Sequence, residues 1–327
     1  MNGTDSEKWI KLFGEIGNPR NVEILQEINV GYNSIVYLVS VDRKHYAVKM
    51  YYERFNGTDV GIQERNNIRR ARKYIPVSVP NVYFLSKHRE NDFHREIIVT
   101  EKATGVFPSK DNFNRQVFEE LIHVLQRLHN SGRTKNRVVY ELERLHKCRR
   151  VITSYVKDNV LITEERVSKH IDALKQFYVR NKDIFRCRKT MIHGDLWWDN
   201  ILVNGKEVTI VDWLEASKRD YCRDLAQVKI GVLDEILDSP RSQQFFEKML
   251  ELYKEQFDDD TIHDRIRFYL PLMFLEESFY LPFKYFPWNI KHHEDAISFE
   301  KRFIDYFEKS ERFFNLSLKN MGEGCVR

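Results

Sequence analysis

Cysteine is scarce and scattered: Cys148, Cys187, Cys222 and Cys325 form no Cys-x-x-Cys pair in 327 residues. That argues against a zinc framework or a disulfide scaffold and for structural thiols in a reducing compartment. No run of about 18 apolar residues exists to span a bilayer. The start, Met1 to Gly14, lacks the basic-then-apolar order of a signal segment. A cytoplasmic protein with no membrane partner is expected. The formal net charge is only +4, so overall charge makes no case for nucleic acid or a membrane surface. Internal repeats and low-complexity segments are missing too. What is present is a globular composition, 42% hydrophobic and 31% charged, in a chain too long for one simple core. Two lobes are expected.

The most informative stretch is Ile192-His193-Gly194-Asp195-Leu196-Trp197-Trp198-Asp199-Asn200, with Ile201 to Val203, Val208 to Val211 and then Asp212-Trp213 behind it. The two β-branched runs are joined by Asn204-Gly205, a strong hairpin signal, which folds Asp212 back beside Asn200. An amide oxygen and a carboxylate held this way suit Mg²⁺, which takes a few protein oxygens together with phosphate oxygens. Asp195 precedes them, placed to accept a proton from a hydroxyl. The chemistry that needs such a set is phosphoryl transfer.

His-Gly-Asp-x-x-x-x-Asn followed by a strand and Asp-Trp resembles the catalytic loop of the aminoglycoside phosphotransferase/choline kinase superfamily. It is the counterpart of His-Arg-Asp…Asn and Asp-Phe-Gly in protein kinases. The resemblance implies an α+β, bilobal protein-kinase-like fold, with a small antiparallel sheet lobe over residues 1–101 and a larger helical lobe over 102–327. It also implies Mg²⁺ and ATP, or GTP, as cofactors. Asp195 would be the catalytic base, Asn200 and Asp212 the metal ligands. His193 would brace the loop.

The N-terminal half can be asked for the remaining parts. Ser6 to Ile16 has apolar residues at helical spacing and reads as a packing helix stopped by Gly17-Asn18-Pro19. Strand-like runs follow at Val22 to Val30, Ile35 to Val41 and His45 to Tyr51. Gly31-Tyr32-Asn33-Ser34 joins the first two and Asp42-Arg43-Lys44 the last two. The first turn could cover phosphates with Asn33 and Ser34, although one glycine stands where Gly-x-Gly-x-x-Gly would carry three. Tyr46-Ala47-Val48-Lys49 matches Val-Ala-Ile-Lys, which gives Lys49 the α- and β-phosphates. Gly61 to Tyr74 is helical in pattern, and Glu64 is a lone carboxylate on its apolar face beside Ile68, Ala71 and Ile75. Such a group requires a partner. Lys49 is the candidate, with Glu53 as the alternative owner of that role. Two more strands are expected, Asn81 to Leu85 and Glu96 to Thr100. By resemblance the linker after them offers backbone groups of Glu101 and Ala103 to adenine.

Beyond the linker helical patterns take over: Phe113 to His129, Val138 to Val156 and Glu164 to Ile184 before the loop. After it come Arg223-Asp224-Leu225-Ala226, at the start of a helix to about Leu237, then Gln243 to Phe257, Ile262 to Tyr285 and Asp295 to Asn320. Asp224 is expected to cap and brace. Residues 133–189 hold sixteen Lys and Arg against seven Asp and Glu. That is a solvated face or a surface for an anionic partner. The aromatics of the last helices read as core. With Glu276, Glu277 and Trp288 they alternatively line a pocket for a cationic or sugar substrate. Trp197-Trp198 departs from the smaller or polar residues common in relatives, and either narrows the substrate entrance or packs the loop.

The favoured reading is a phosphotransferase acting on the hydroxyl of a small molecule such as an aminoglycoside, choline or a sugar, because His-Gly-Asp replaces His-Arg-Asp. A kinase acting on RNA or protein through the basic 133–189 region is the alternative. An inactive nucleotide-binding scaffold is disfavoured by the intact Lys49, Asp195, Asn200 and Asp212. Acceptor identity and oligomeric state are not legible.

Overall fold

The computed structural model describes residues 3–30, 33–131, 139–155, 162–285 and 293–322. The chain forms two compact units, Met1–Ser131 with His193–Ser217, and Gly132–Ile192 with Lys218–Arg327. This grouping by compactness cuts the chain differently from the 101/102 lobe boundary. The reason is in the hydrogen bonds, which tie the 193–217 segment to the N-terminal sheet unit.

In the first unit, strands β1 (Val22–Val30), β2 (Ser34–Val41), β3 (Lys44–Tyr51), β4 (Val82–Ser86) and β5 (Ile97–Glu101) form one sheet in the order β1-β2-β3-β5-β4. Every pairing is antiparallel. All five lie within a residue or two of the runs of β-branched and aromatic residues that announced them. The β2–β3 connection is one residue tighter than expected, because Lys44 pairs with Val41. Asp42 and Arg43 both take positive φ, 47° and 70°. That is the backbone of a I′ turn, whose twist matches the flanking strands. Helix α1 (Gly3–Phe13) sets Trp9, Leu12 and Phe13 against Val39, Tyr46, Val48 and Val99 of the sheet. Each such buried side chain contributes about 1.5–3 kcal/mol.

Helix α2 (Val60–Ala71) follows β3, and α3 (Arg115–His129) begins at Asn114, whose side chain accepts from the Gln116 and Val117 amides at 2.9 and 3.1 Å. Gly61 in the first turn of α2 donates its amide to the buried Glu96 carboxylate at 2.9 Å. A Cβ there would meet the end of the Leu85 side chain at 2.7 Å, so that side chain would have to shift to admit one.

The second unit is mainly helical: Val139–Tyr155, Glu164–Arg180, Cys222–Val228, Ser239–Phe257, Ile262–Tyr285 and His293–Gly322. The helix beginning at Cys222 does not run smoothly to Leu237. It passes into a wider π-turn at Lys229–Leu233, where the Lys229 ammonium is bonded to Ser242 Oγ at 2.8 Å and to Asp234. A buried ammonium needs such acceptors, and the extra residue in the turn accompanies them. No helix among the described residues is long and apolar enough to cross a membrane.

Candidate active site

The site is built from the first unit alone. Its scaffold is a hairpin, Ile201–Asn204 with Glu207–Ile210. Asn204 pairs with Glu207, so the turn is Gly205-Lys206, one residue later than Asn204-Gly205, and Gly205 takes φ 60° at its first central position. Ladder and turn together bring Asp212 round to Asn200: the Val211 amide donates to the Asn200 carbonyl at 3.0 Å. Three further bonds fasten the hairpin to the sheet unit, two between Val106 and Val203 at 3.0 and 2.8 Å, and Ile210 N to Ser78 O at 2.8 Å.

On the loop before the hairpin, His193 is fully buried. Its Nε2 donates to the Val211 carbonyl at 3.0 Å, and its Nδ1 accepts the Asp195 amide at 3.3 Å. The ring stands edge-on to Trp213, centroids 4.6 Å apart. His193 therefore clamps the loop to the strand end. Gly194 has φ 83°, and a Cβ on it would meet the Glu215 carbonyl at 2.7 Å. Only glycine lets the chain pass so close. The Asn200 amide donates to the Asp195 carbonyl at 2.8 Å and lies 3.3 Å from Asp195 Oδ2. Its own oxygen is thereby turned away from Asp195.

Lys49, from β3, meets both Asp212 Oδ1 at 2.7 Å and Glu64 Oε2 at 3.0 Å. Glu53 is elsewhere, 3.9 Å from Arg95 on an exposed turn. Burial by itself would favour neutral Lys49, but Asp212 and Glu64 outweigh it and raise the ammonium's pKa. Burial raises the Glu64 carboxyl, against the opposing pull of Lys49. It acts upward on Asp212 as well, yet Lys49 prevails there and the pKa is lowered. The His193 ring and the Leu214 backbone amide add to the lowering at Asp212. Asp212 also sits at φ 58°, a left-handed conformation that Asp and Asn tolerate better than most residues.

Several partners of this site were not legible. Gln63 Nε2 donates to the Leu214 carbonyl at 3.0 Å, and Asn67 Nδ2 to the Trp213 and Leu214 carbonyls at 3.0 and 3.3 Å. Helix α2 thus grips the turn that carries Asp212 as well as presenting Glu64. The Tyr51 hydroxyl donates to Glu64 Oε2. The one available signal was spacing: Gln63, Glu64 and Asn67 fall on adjacent positions of one helical face.

The other expected residues are distributed as follows. Ser34 opens β2, buried opposite Tyr51, and the Asn33 carbonyl accepts the Tyr52 amide at 3.0 Å. Glu101 ends β5, its amide bonded to the Asn81 carbonyl at 2.8 Å, and Ala103 lies in the coil just beyond. Asp224 is buried in the first turn of its helix. Glu276 is buried against Arg223, 2.6 Å away. Within the basic 133–189 region Arg149 pairs with Asp172 at 3.1 Å and Arg166 with Glu311 at 2.6 Å, a balanced surface at those points. Gly31, Tyr32, residues 132–138, Trp288 and Cys325 lie outside the described residues.

Metal fit follows from donor chemistry. Among the described residues no group of three or more His, Cys, Asp and Glu side chains is arranged to hold a metal ion. A carboxylate and an amide oxygen, Asp212 and Asn200, are hard donors suited to Mg²⁺ when phosphate and water complete its shell.

A sheet unit with a lysine–carboxylate pair, joined to a loop bearing Asp, Asn and a second Asp, defines the kinase-like phosphotransferase class. The chain belongs to the phosphotransferase enzyme family (APH), whose model matches residues 24–268. Among solved structures it is similar to a Ralstonia eutropha protein provisionally named an aminoglycoside phosphotransferase, with TM-score 0.67 and 13% identity over 95% of this chain and 98% of that one. It is similar to a thermostable mutant of aminoglycoside phosphotransferase APH(4)-Ia in its apo form, with TM-score 0.62 and 12% identity over 97% and 99%. ADP-bound APH(2'')-Ib gives TM-score 0.59 and 15% identity over 95% and 99%. At such identity the likeness is one of fold. No curated protein sequence matches the chain.

Proposed function

We propose that this phosphotransferase moves the γ-phosphoryl group of ATP to a hydroxyl group of a small molecule. The observation that carries the reading is the continuous bonded path Glu64–Lys49–Asp212, then Val211 to Asn200 and His193, then Asp195. It supplies, in one compact unit, a cation for phosphates, two hard oxygens and a carboxylate for a proton. Lys49 takes the α- and β-phosphates, positioned by Glu64. Asn33 and Ser34 contact the phosphates, and backbone groups of Glu101 and Ala103 receive the adenine. The 101/102 lobe boundary belongs to this same reading.

Asn200 Oδ1 and Asp212 hold Mg²⁺, which when bound neutralises charge on the phosphate oxygens. Asp195 orients the acceptor hydroxyl and accepts its proton as the oxygen bonds to the γ-phosphorus. The bond from that phosphorus to the β,γ-bridging oxygen breaks, and ADP leaves. Positioning and charge compensation then account for most of the rate. Solved relatives support a nucleotide and a small acceptor: one is an APH(2'')-IIa complex with gentamicin, another a GDP complex of an aminoglycoside 2'-phosphotransferase.

The test is a screen of aminoglycosides, sugars, amino alcohols and other hydroxylated metabolites for acceptor-dependent ADP release, repeated with GTP. Turnover on at least one acceptor is expected, with Asp195→Asn as the inactive control. Failure to bind Mg–ATP at all would overturn the reading.

A further inference from the structure

One buried side chain at the phosphate-binding lysine has no part in the mechanism above. Tyr51 lies two residues beyond Lys49 on β3, so both side chains leave the same face of the strand. It is completely buried. Its ring centroid is 5.4 Å from Lys49 Nζ, and its hydroxyl donates to Oε2 of Glu64. That is the same oxygen that lies 3.0 Å from Lys49 Nζ. Glu64 reaches the site from α2 on a side chain with three rotatable bonds, and losing rotamer freedom is costly. Of its two donors among the described residues, Lys49 is shared with Asp212, which is closer at 2.7 Å, while the Tyr51 hydroxyl is committed to Glu64.

We propose that Tyr51 is a positioning residue for nucleotide binding, holding the Glu64 carboxylate in the rotamer that aims Lys49. The inference rests on the reading of Lys49 as the phosphate ligand. When phosphates draw Lys49 away from Asp212, the hydroxyl of Tyr51 keeps Glu64 where it is, so one anchor of the ammonium survives the exchange. A buried phenol also needs an acceptor merely to be satisfied. The two roles differ in what the hydroxyl's removal does to the nucleotide.

Mg–ADP affinity is measured by calorimetry for the full chain, Tyr51→Phe, Glu64→Gln and the double variant, with turnover on the acceptor that the screen identifies. Tyr51→Phe is expected to weaken Mg–ADP about tenfold, the lower range of a hydrogen bond to a charged group. Acceptor KM stays unchanged, and the double variant binds no worse than Glu64→Gln, because groups acting as a unit are non-additive. Unaltered Mg–ADP affinity in Tyr51→Phe, or losses that add in the double variant, would overturn the inference while leaving the function standing. Absence of Mg–ADP binding by the unaltered chain would instead remove the reading of Lys49, and the inference with it. Should Tyr51→Phe not fold, 3-fluorotyrosine in its place offers a more acidic phenol of nearly the same shape. A shift in Mg–ADP affinity then supports the inference, and none overturns it.

Discussion

At the scale of single residues, roles divide by what each side chain is bonded to. His193 spends both ring nitrogens on the backbone, one on Val211 and one on Asp195. It is a brace, and the proposed mechanism assigns proton transfer to Asp195. Asp195→Asn preserves size and hydrogen-bonding reach but removes basicity. Turnover should fall roughly 10²–10⁴-fold, the usual worth of a general base, while nucleotide affinity stays within a few-fold. Kinetics paired with calorimetry decide it, and lost ATP binding would reassign Asp195 to the metal or the fold. Asp212 offers a second case. Its φ of 58° is tolerated by Asn as by Asp, so Asp212→Asn should fold normally. It removes a formal charge from the proposed Mg²⁺ ligands and from the partner of Lys49. Nucleotide binding should lose its dependence on added magnesium, as titrations with and without the ion would register. Retention of that dependence would exclude Asp212 as a ligand.

At the scale of elements, α2 is the part on which the site turns. It holds Lys49 through Glu64 and the Asp212 turn through Gln63 and Asn67. Asn67→Ala takes one donor from the buried carbonyls of Trp213 and Leu214, which keep bonds from the Ala216 amide and from Gln63. A lost hydrogen bond costs about 0.5–1.5 kcal/mol, so denaturant unfolding should show a loss of that order. Mg–nucleotide affinity should fall along with it. A stability loss with unchanged affinity would mean that the turn keeps its shape unaided. The sequence showed α2 and the carboxylate on it, because a charge on an apolar face breaks a pattern. Strands, hairpin and catalytic loop were legible for like reasons: β-branched runs, Asn-Gly and a fixed spacing of polar groups. Gln63 and Asn67 were not, since amides on a helix break no rule and their acceptors lie about 150 residues away. Tyr51 passed for an ordinary strand aromatic. The grouping of 193–217 with the sheet unit was hidden for the same cause. It depends on backbone bonds, Val106 to Val203 and Ile210 to Ser78, that carry no side-chain signature.

At the scale of the whole molecule, two compact units need not unfold as one, so acid stability is best read through a group confined to one of them. His170 is such a group. It is buried between Phe307 and Phe314, and its Nε2 lies 2.7 Å from Ser310 Oγ. Ser310 Oγ donates in turn to the Pro271 carbonyl at 2.7 Å, so the hydroxyl accepts from a neutral imidazole. Burial, with the nearby Arg166 cation adding to it, lowers the pKa from 6.5 to about 4. The unfolded chain therefore takes up a proton below pH 6.5 that the folded chain refuses until about pH 4. Stability must fall with pH across that window. Going from pH 7 to pH 5 should cost about 2 kcal/mol from this residue alone. The other shifts do not mimic it. Asp212 and Asp259 have lowered values, so their contributions are lost only below the ordinary carboxylate range. Lys49 is raised and loses its contribution only in alkali. Glu64 is raised and works in the opposite direction, gaining stability as acid is added. His170→Gln keeps a donor for Ser310 without a titrating ring. Thermal melts of the second unit's transition should then lose most of their slope between pH 7 and pH 5. Parallel curves for variant and unaltered chain would show that His170 is not buried in the neutral form.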